Sequence, residues 1–182
     1  MRRMSLVLAG VAFVSIATEA ESQSVAQLRL GAGVGTSVNT RTGVPHGGHA
    51  TLSLTSQVPG SRLGFRVEAL FDGGQEAVRF EGEPLSTWVS NRTAALTINP
   101  FFRLWGRQTG LYVIAGVGIY QSWYESRPLA TEQTTRSSQF ELGLNAGLGF
   151  DFKAFDREMF VESRLHGAGF SERAALTLGV RF

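Results

Sequence analysis

The sequence predicts an all-β protein, an eight-stranded antiparallel up-and-down transmembrane β-barrel. Three observations carry that prediction. Apolar and polar residues alternate in about eight segments, glycines gather on the polar side of the alternation, and short turn-rich connections take turns with longer polar ones. A period of two places successive side chains on opposite faces of a strand. A soluble sheet would show water a face of ordinary Lys, Glu and Thr. Here the second face holds glycine and scattered charge, which suits the narrow interior of a small barrel whose other face meets lipid.

The N-terminal stretch stands apart from this pattern. Arg2 and Arg3 precede the apolar run "SLVLAGVAFVSIA" at 5–17, and Ser15 with Ala17, or Thr18 with Ala20, suit the cleavage positions. That is the pattern of a secretory signal peptide, expected over 1–22 with the cut between 17 and 24. The run falls short of the roughly 20 residues of a spanning helix. No cysteine lies near the cut, which argues against a lipoprotein. The barrel domain is expected over 25–182.

The strands follow in order. In 28–38, Leu28, Leu30, Ala32 and Val34 alternate with Arg29, Gly31, Gly33 and Gly35. In 49–58, Ala50, Leu52 and Leu54 alternate with His49, Thr51, Ser53 and Thr55. In 63–72, Phe65, Val67, Ala69 and Phe71 alternate with Gly64, Arg66, Glu68 and Asp72. In 92–104, Leu96, Ile98 and Phe102 alternate with Thr97, Asn99 and Arg103. In 111–123, Val113, Ala115, Val117 and Ile119 alternate with Tyr112, Gly116 and Gly118. The longest alternation runs over 139–152, from Phe140, Leu142 and Leu144 opposite Glu141, Gly143 and Asn145 to Phe152 opposite Asp151. In 159–166, Met159, Val161 and Leu165 alternate with Glu162, Arg164 and His166. In 173–182, Leu176, Leu178, Val180 and Phe182 alternate with Thr177, Gly179 and Arg181. Pro100 lacks a ladder donor and is expected near a bulge or a rim.

Short links at 58, 105 and 153 alternate with long ones over 39–48, 72–91 and 124–137, the layout of an outer-membrane barrel with its short turns in the periplasm. Phe102, Trp105, Tyr112, Phe152, Phe155 and Phe182 are expected in the aromatic girdle near the short turns. Phe71, Trp88, Trp123, Tyr124 and Phe140 are expected in the other.

Composition narrows the function classes. Lys+Arg 17 against Asp+Glu 15 gives a net charge of +2, too balanced for a nucleic-acid binder, and Cys 0 excludes disulfides and thiolate metal sites. Gly 22 is well above the usual share of about 7% and has no collagen period.

The export signal, "LYVIAGVGIY", "LGLNAGLGFDF", "FVESRLH" and the terminal "LTLGVRF" together resemble the small OmpA/OmpX-type outer-membrane β-barrel superfamily, over the whole chain from about residue 25. The resemblance implies a place in the Gram-negative cell outer membrane, among lipid and lipopolysaccharide. It also implies an assembly signal read by the barrel-assembly machinery, which Leu176, Leu178, Val180 and Phe182 match. Members include adhesins, structural proteins and enzymes, so function has to come from sites.

No catalytic, cofactor-binding or metal site emerges. The glycine runs "GAGVG" and "GLNAGLG" lie inside strands rather than before a helix, so they are not phosphate loops. His46 and His49 offer two metal ligands where zinc wants three or four. The resemblance also brings in lipid A deacylases, barrels with a His-x-Ser arrangement. Here His166 is followed by Gly167 and Ala168, with alanine where the nucleophile belongs, and Ser171 falls in the last loop. An outer-membrane lipid hydrolase and a soluble ligand-binding barrel remain the alternatives to a non-enzymatic barrel whose extracellular loops meet an outside partner. The inward charges, Arg29, Arg66, Glu68, Arg103, Glu141, Asp151, Glu162, Arg164, His166 and Arg181, are expected to form a structural network plugging the lumen. Arg66 and Glu68 should face Glu162 and Arg164, with Arg29, Arg103, Asp151 and Arg181 in a layer nearer the short turns. Gly31, Gly33, Gly116 and Gly118 are expected to leave room for these long side chains.

Overall fold

The computed structural model describes residues 25–37, 47–78, 87–106, 109–129, 133–168 and 171–182, and each of its elements is a strand. They are β1 (Val25–Ser37), β2 (Gly47–Gln57), β3 (Leu63–Val78), β4 (Thr87–Arg103), β5 (Gly110–Pro128), β6 (Thr135–Ala154), β7 (Arg157–Ala168) and β8 (Ser171–Arg181). Each pairs antiparallel with the next, and β8 pairs with β1 to close the barrel. At the seam Phe182 donates to the Leu28 carbonyl at 2.8 Å, and Leu28 donates back to Phe182 at 3.2 Å. Closure leaves no free edge around the barrel wall, as hydrocarbon requires. The expected signal segment, His46 and most of the 39–48 loop lie outside the described residues.

Alternation decides which face meets what. Leu28, Leu30, Leu52, Phe65, Ile98, Val117, Leu144, Leu148 and Leu178 point outward and are exposed, whereas their polar neighbours are buried. An apolar belt of this extent on a water-soluble monomer would be an aggregation surface. It is the lipid face of a membrane barrel, and it rules out the soluble barrel, which needs the opposite orientation.

The described short connections are turns at 58–62 and 155–156, and bends at 104–105 and 109 flank the third. The turn at 155–156 is a two-residue hairpin between Ala154 and Arg157, with Phe155 at φ 51° and Asp156 at φ 57°. Positive φ at both central positions is the mirror-image turn that matches strand twist.

Two expectations need correction. Of the loops expected over 72–91 and 124–137, the described residues are largely strand. β3 and β4 stay paired out to Val78 opposite Thr87, and β5 and β6 to Ser126 opposite Thr135. Polar and charged residues there broke the apolar alternation without breaking the ladder. Ser171 begins β8 rather than lying in a loop. Pro100, expected near a bulge or a rim, is near the rim and makes no bulge: register is the same on either side, with Ile98 opposite Val117 and Phe101 opposite Ile114. It sits three residues from the short-turn end of β4, where a gap in the ladder is cheap.

Candidate functional site

The lumen is filled in tiers. At the short-turn end Asp151 of β6, fully buried, pairs with three guanidinium groups: Arg29, which donates to it at 2.9 Å, and Arg103 at 2.8 Å and Arg181 at 3.1 Å as ion pairs. Arg29 and Arg181 stand directly opposite each other on β1 and β8. Like charges in that position repel, and the shared carboxylate is what holds them together. Arg103 also donates to Gln57 at 3.0 Å.

The middle tier crosses the barrel. Arg66 of β3 donates to Glu162 of β7 at 2.7 Å, and Arg164 of β7 donates to both Glu68 and Glu162. Tyr112 of β5 joins the two tiers through one hydroxyl. It accepts from Arg29 at 2.9 Å and Arg66 at 3.3 Å and donates to Glu162 at 2.7 Å. Above this, Arg173 pairs with Asp72, His49 Nδ1 lies 3.6 Å from the same carboxylate, and the Tyr120 hydroxyl is 3.1 Å from His166 Nδ1.

Of the residues expected in the lumen, Arg29, Arg66, Glu68, Arg103, Asp151, Glu162, Arg164, His166 and Arg181 are buried there. Glu141 is not. It is half-exposed and opposite Tyr120, beyond the last β6–β7 pair at Gly143 and Ala168. Correct parity was not enough, because at that height the barrel wall has ended.

The sequence reading missed the aromatic part of the lumen. Tyr112 is wholly buried rather than part of a girdle, and Tyr124 shares its side of β5. Phe101 and Phe160 are also buried inside. The rings explain the glycines. A Cβ on Gly149 would come within 2.1 Å of Tyr112, one on Gly64 within 2.3 Å of Phe101, one on Gly179 within 2.5 Å of Phe160, and one on Gly143 within 2.6 Å of Tyr120. Each ring lies over a glycine on a neighbouring strand, so the glycine face is chiefly a set of slots for aromatics. Gly31 likewise meets Phe160, whereas Gly33, Gly116 and Gly118 are pressed against the adjacent backbone or short side chains rather than arginines.

The rings also serve the charges. Among the described residues, six buried arginines (Arg29, Arg66, Arg103, Arg164, Arg173, Arg181) share the lumen with four buried carboxylates (Glu68, Asp72, Asp151, Glu162). Arg29 lies 4.1 Å over the Phe160 ring, and Arg103 and Arg66 lie 5.6 and 5.9 Å from that of Phe101. Guanidinium over an aromatic face is attractive, more so when desolvated.

The second candidate feature is outside the barrel. The last described β2–β3 pair is Gly47 opposite Gly74 and the last β6–β7 pair is Gly143 opposite Ala168, yet β3 to β6 stay paired well beyond. They form a projecting four-stranded sheet. Along residues 135–142 of β6 no strand pairs on the outer side among the described residues, and residues 135–140 are all exposed.

No protein-family model and no curated protein matches the chain. Solved structures do. The chain is similar to Ail, the attachment invasion locus protein of Yersinia pestis, crystallised with the heparin analogue sucrose octasulfate, at 13% identity and TM-score 0.53, covering 87% of this chain and 97% of that one. It is similar to a major outer membrane protein of Thermus thermophilus at 14% identity and TM-score 0.51, covering 87% and 99%. The N-terminal β-barrel domain of Pseudomonas aeruginosa OprF aligns at 14% identity and TM-score 0.47, covering 88% and 100%.

Proposed function

We propose that this chain, an outer-membrane β-barrel of the small OmpA/OmpX-type fold, is a non-enzymatic barrel that holds a contact surface outside the cell on a plugged, rigid stem. The observation that carries this is the projecting sheet of β3 to β6, with β6 as an edge that no strand covers among the described residues. An unpaired strand is a template for adding another, and main-chain hydrogen bonds supply the affinity. The edge "TRSSQFEL" (135–142) carries one Arg and one Glu and no proline, so little guards it against pairing. The projecting sheet then lies outside and the short turns in the periplasm, in keeping with long extracellular loops in such barrels.

Biogenesis belongs to the same reading. The first 22 residues act as a cleaved export signal, and Leu176, Leu178, Val180 and Phe182 present the assembly machinery with an outward apolar row ending in an exposed ring. His166 contributes a hydrogen bond to Tyr120 rather than catalysis, since alanine occupies the nucleophile position after it.

The test replaces residues 124–137 by a tight turn and compares intact cells carrying wild type, variant or no protein for adherence to host surfaces and to a sulfated glycan, the chemistry crystallised with Ail. The variant is expected to reach the outer membrane and keep its heat-modifiable gel shift while adherence drops to the level of cells without the protein. Undiminished adherence would remove the sheet as the contact surface.

A further inference from the structure

Above the barrel wall, β6 is bonded on one side. β5 pairs with it from Ser126 opposite Thr135 down to Ile119 opposite Leu142. On the other side no strand pairs with residues 135–142 among the described residues, since the last β6–β7 pair is Gly143 opposite Ala168. Residues 135–140 are all exposed, and Phe140 and Leu142 are 66% and 80% exposed. The main-chain groups that point away from β5 along this stretch are a template for one more strand.

The edge's own sequence suits a particular strand. Two copies related by a two-fold axis meet through the same patch on each. In an antiparallel pair that axis stands perpendicular to the sheet, so both copies keep the same face up and residues directly opposite share a face. Facing residues are then both even-numbered or both odd-numbered. Centred on Ser138, the register sets Ser138 against its own copy, Arg136 against Phe140 and Thr134 against Leu142 on the outward face. On the inward face it sets Ser137 against Gln139 and Thr135 against Glu141. No like charges meet. A guanidinium crosses an aromatic ring, and the amide and the carboxylate each face a hydroxyl, pairs that stabilise a sheet. Arg136 keeps its 3.0 Å contact with Glu125, because a guanidinium bonds through its edge and stacks through its face. Centring on Gln139 loses this match, since Arg136 then faces Leu142 and Phe140 faces Ser138.

We propose that the partner at this edge is a second copy of this chain, paired antiparallel through residues 134–142. The inference rests on the contact-surface reading above and names the strand that the edge takes. Direction follows from symmetry. An axis perpendicular to the sheet makes the second barrel point the opposite way, so the copies belong to two facing membranes. Parallel pairing within one membrane needs an axis along the strands. That sets the outward face of each copy beside the inward face of the other, with Phe140 between Gln139 and Glu141. From Gly143 to Ser138 a strand rises about 17 Å, so the two barrel walls end about 34 Å apart along the strands. A surface polymer thicker than that gap holds the copies apart, so pairing depends on how bare the facing surfaces are.

The test uses the full mature chain refolded into phosphatidylcholine vesicles and followed by turbidity. Residue 138 is exposed, so its variants should keep the heat-modifiable gel shift. The chain has Cys 0, so labelling of Ser138→Cys by an impermeant maleimide in dilute vesicles certifies that the sheet faces outward. Wild-type vesicles are expected to cluster. Ser138→Glu vesicles and Ser138→Lys vesicles should each stay dispersed, because like charges then meet on the axis. Mixing the two should restore clustering. Oxidised Ser138→Cys should run as a covalent dimer, since facing Cα atoms about 4.5–5.5 Å apart are within disulfide reach. Dispersed wild-type vesicles with an accessible sheet would overturn the proposal, and so would undiminished clustering of Ser138→Glu or a Glu–Lys mixture that stays dispersed. Wild-type vesicles that never cluster, beside cells whose adherence drops on replacing 124–137, sink self-pairing alone. The expected clustering pattern beside undiminished cell adherence upholds self-pairing and sinks the host-contact reading.

Discussion

Asp151 shows how much a single lumen residue carries. It is the one acidic partner shared by Arg29, Arg103 and Arg181, and each of the three is at least nine-tenths buried. Removing one partner of a buried ion pair costs about 3–5 kcal/mol, because the charge left behind has no solvent to take its place. Asp151→Ala is therefore expected to destabilise the refolded barrel by at least that much in urea titrations. Glu68→Ala should cost about 3–5 kcal/mol if the middle tier is dry and less where water enters. Gly149 gives a packing counterpart. Gly149→Ala drives a methyl into the Tyr112 ring, which three hydrogen bonds hold in place, so a loss of roughly 1–3 kcal/mol is expected. In a Tyr112→Ala background the same substitution should cost almost nothing, and a double-mutant cycle measures the difference. The inward charges were legible in the sequence because parity alone assigns them. The slots were not, because which ring lies over which glycine depends on register between strands, as with Gly149 opposite Tyr112.

At the scale of the element, the same alternation that marks a strand also marks its depth in the membrane. Val117 on β5 is outward and 57% exposed in the middle of the apolar belt. Val117→Arg should cost roughly 2–4 kcal/mol, whereas Thr134→Arg, beside the projecting sheet, should cost less than about 1 kcal/mol. Equal losses in a reversible folding assay would show that the lipid face is misplaced. Strand ends were legible only where apolar residues continue to the end, as at Phe182. On β5 and β6 the ladder runs on through Glu125, Ser126, Thr135 and Arg136, residues whose composition is that of a loop. Backbone pairing with a neighbour that is already extended holds them, and no single-strand pattern records a neighbour. Glu141 was misassigned for a related reason: its parity is inward, but β7 ends before reaching its height.

For the whole molecule, assembly and permeability pull on different residues. Phe182 is 64% exposed while its backbone closes the seam with Leu28. Phe182→Ala leaves both main-chain bonds in place, so it should refold in detergent like wild type yet reach the outer membrane at lower levels in cells. Permeability depends on the lumen instead. From Gln57 and Arg103 through Asp151, Arg29, Tyr112 and Glu162 to Arg164 and Glu68, hydrogen bonds and ion pairs connect one tier to the next. Above them the space between His49, Asp72, Tyr120 and His166 is about 20 Å³, near the size needed for one water. An ion would have to strip its hydration and separate paired charges in a low-dielectric interior, a cost of several kcal/mol per ion. Wild-type protein in a planar bilayer is therefore expected to show no stable open level. Glu68→Ala and Asp151→Ala, which break the middle and lower tiers, should at most raise brief flickering events. A large, stable conductance from the wild type would show that the tiers leave a continuous water path, and that the stem is a pore.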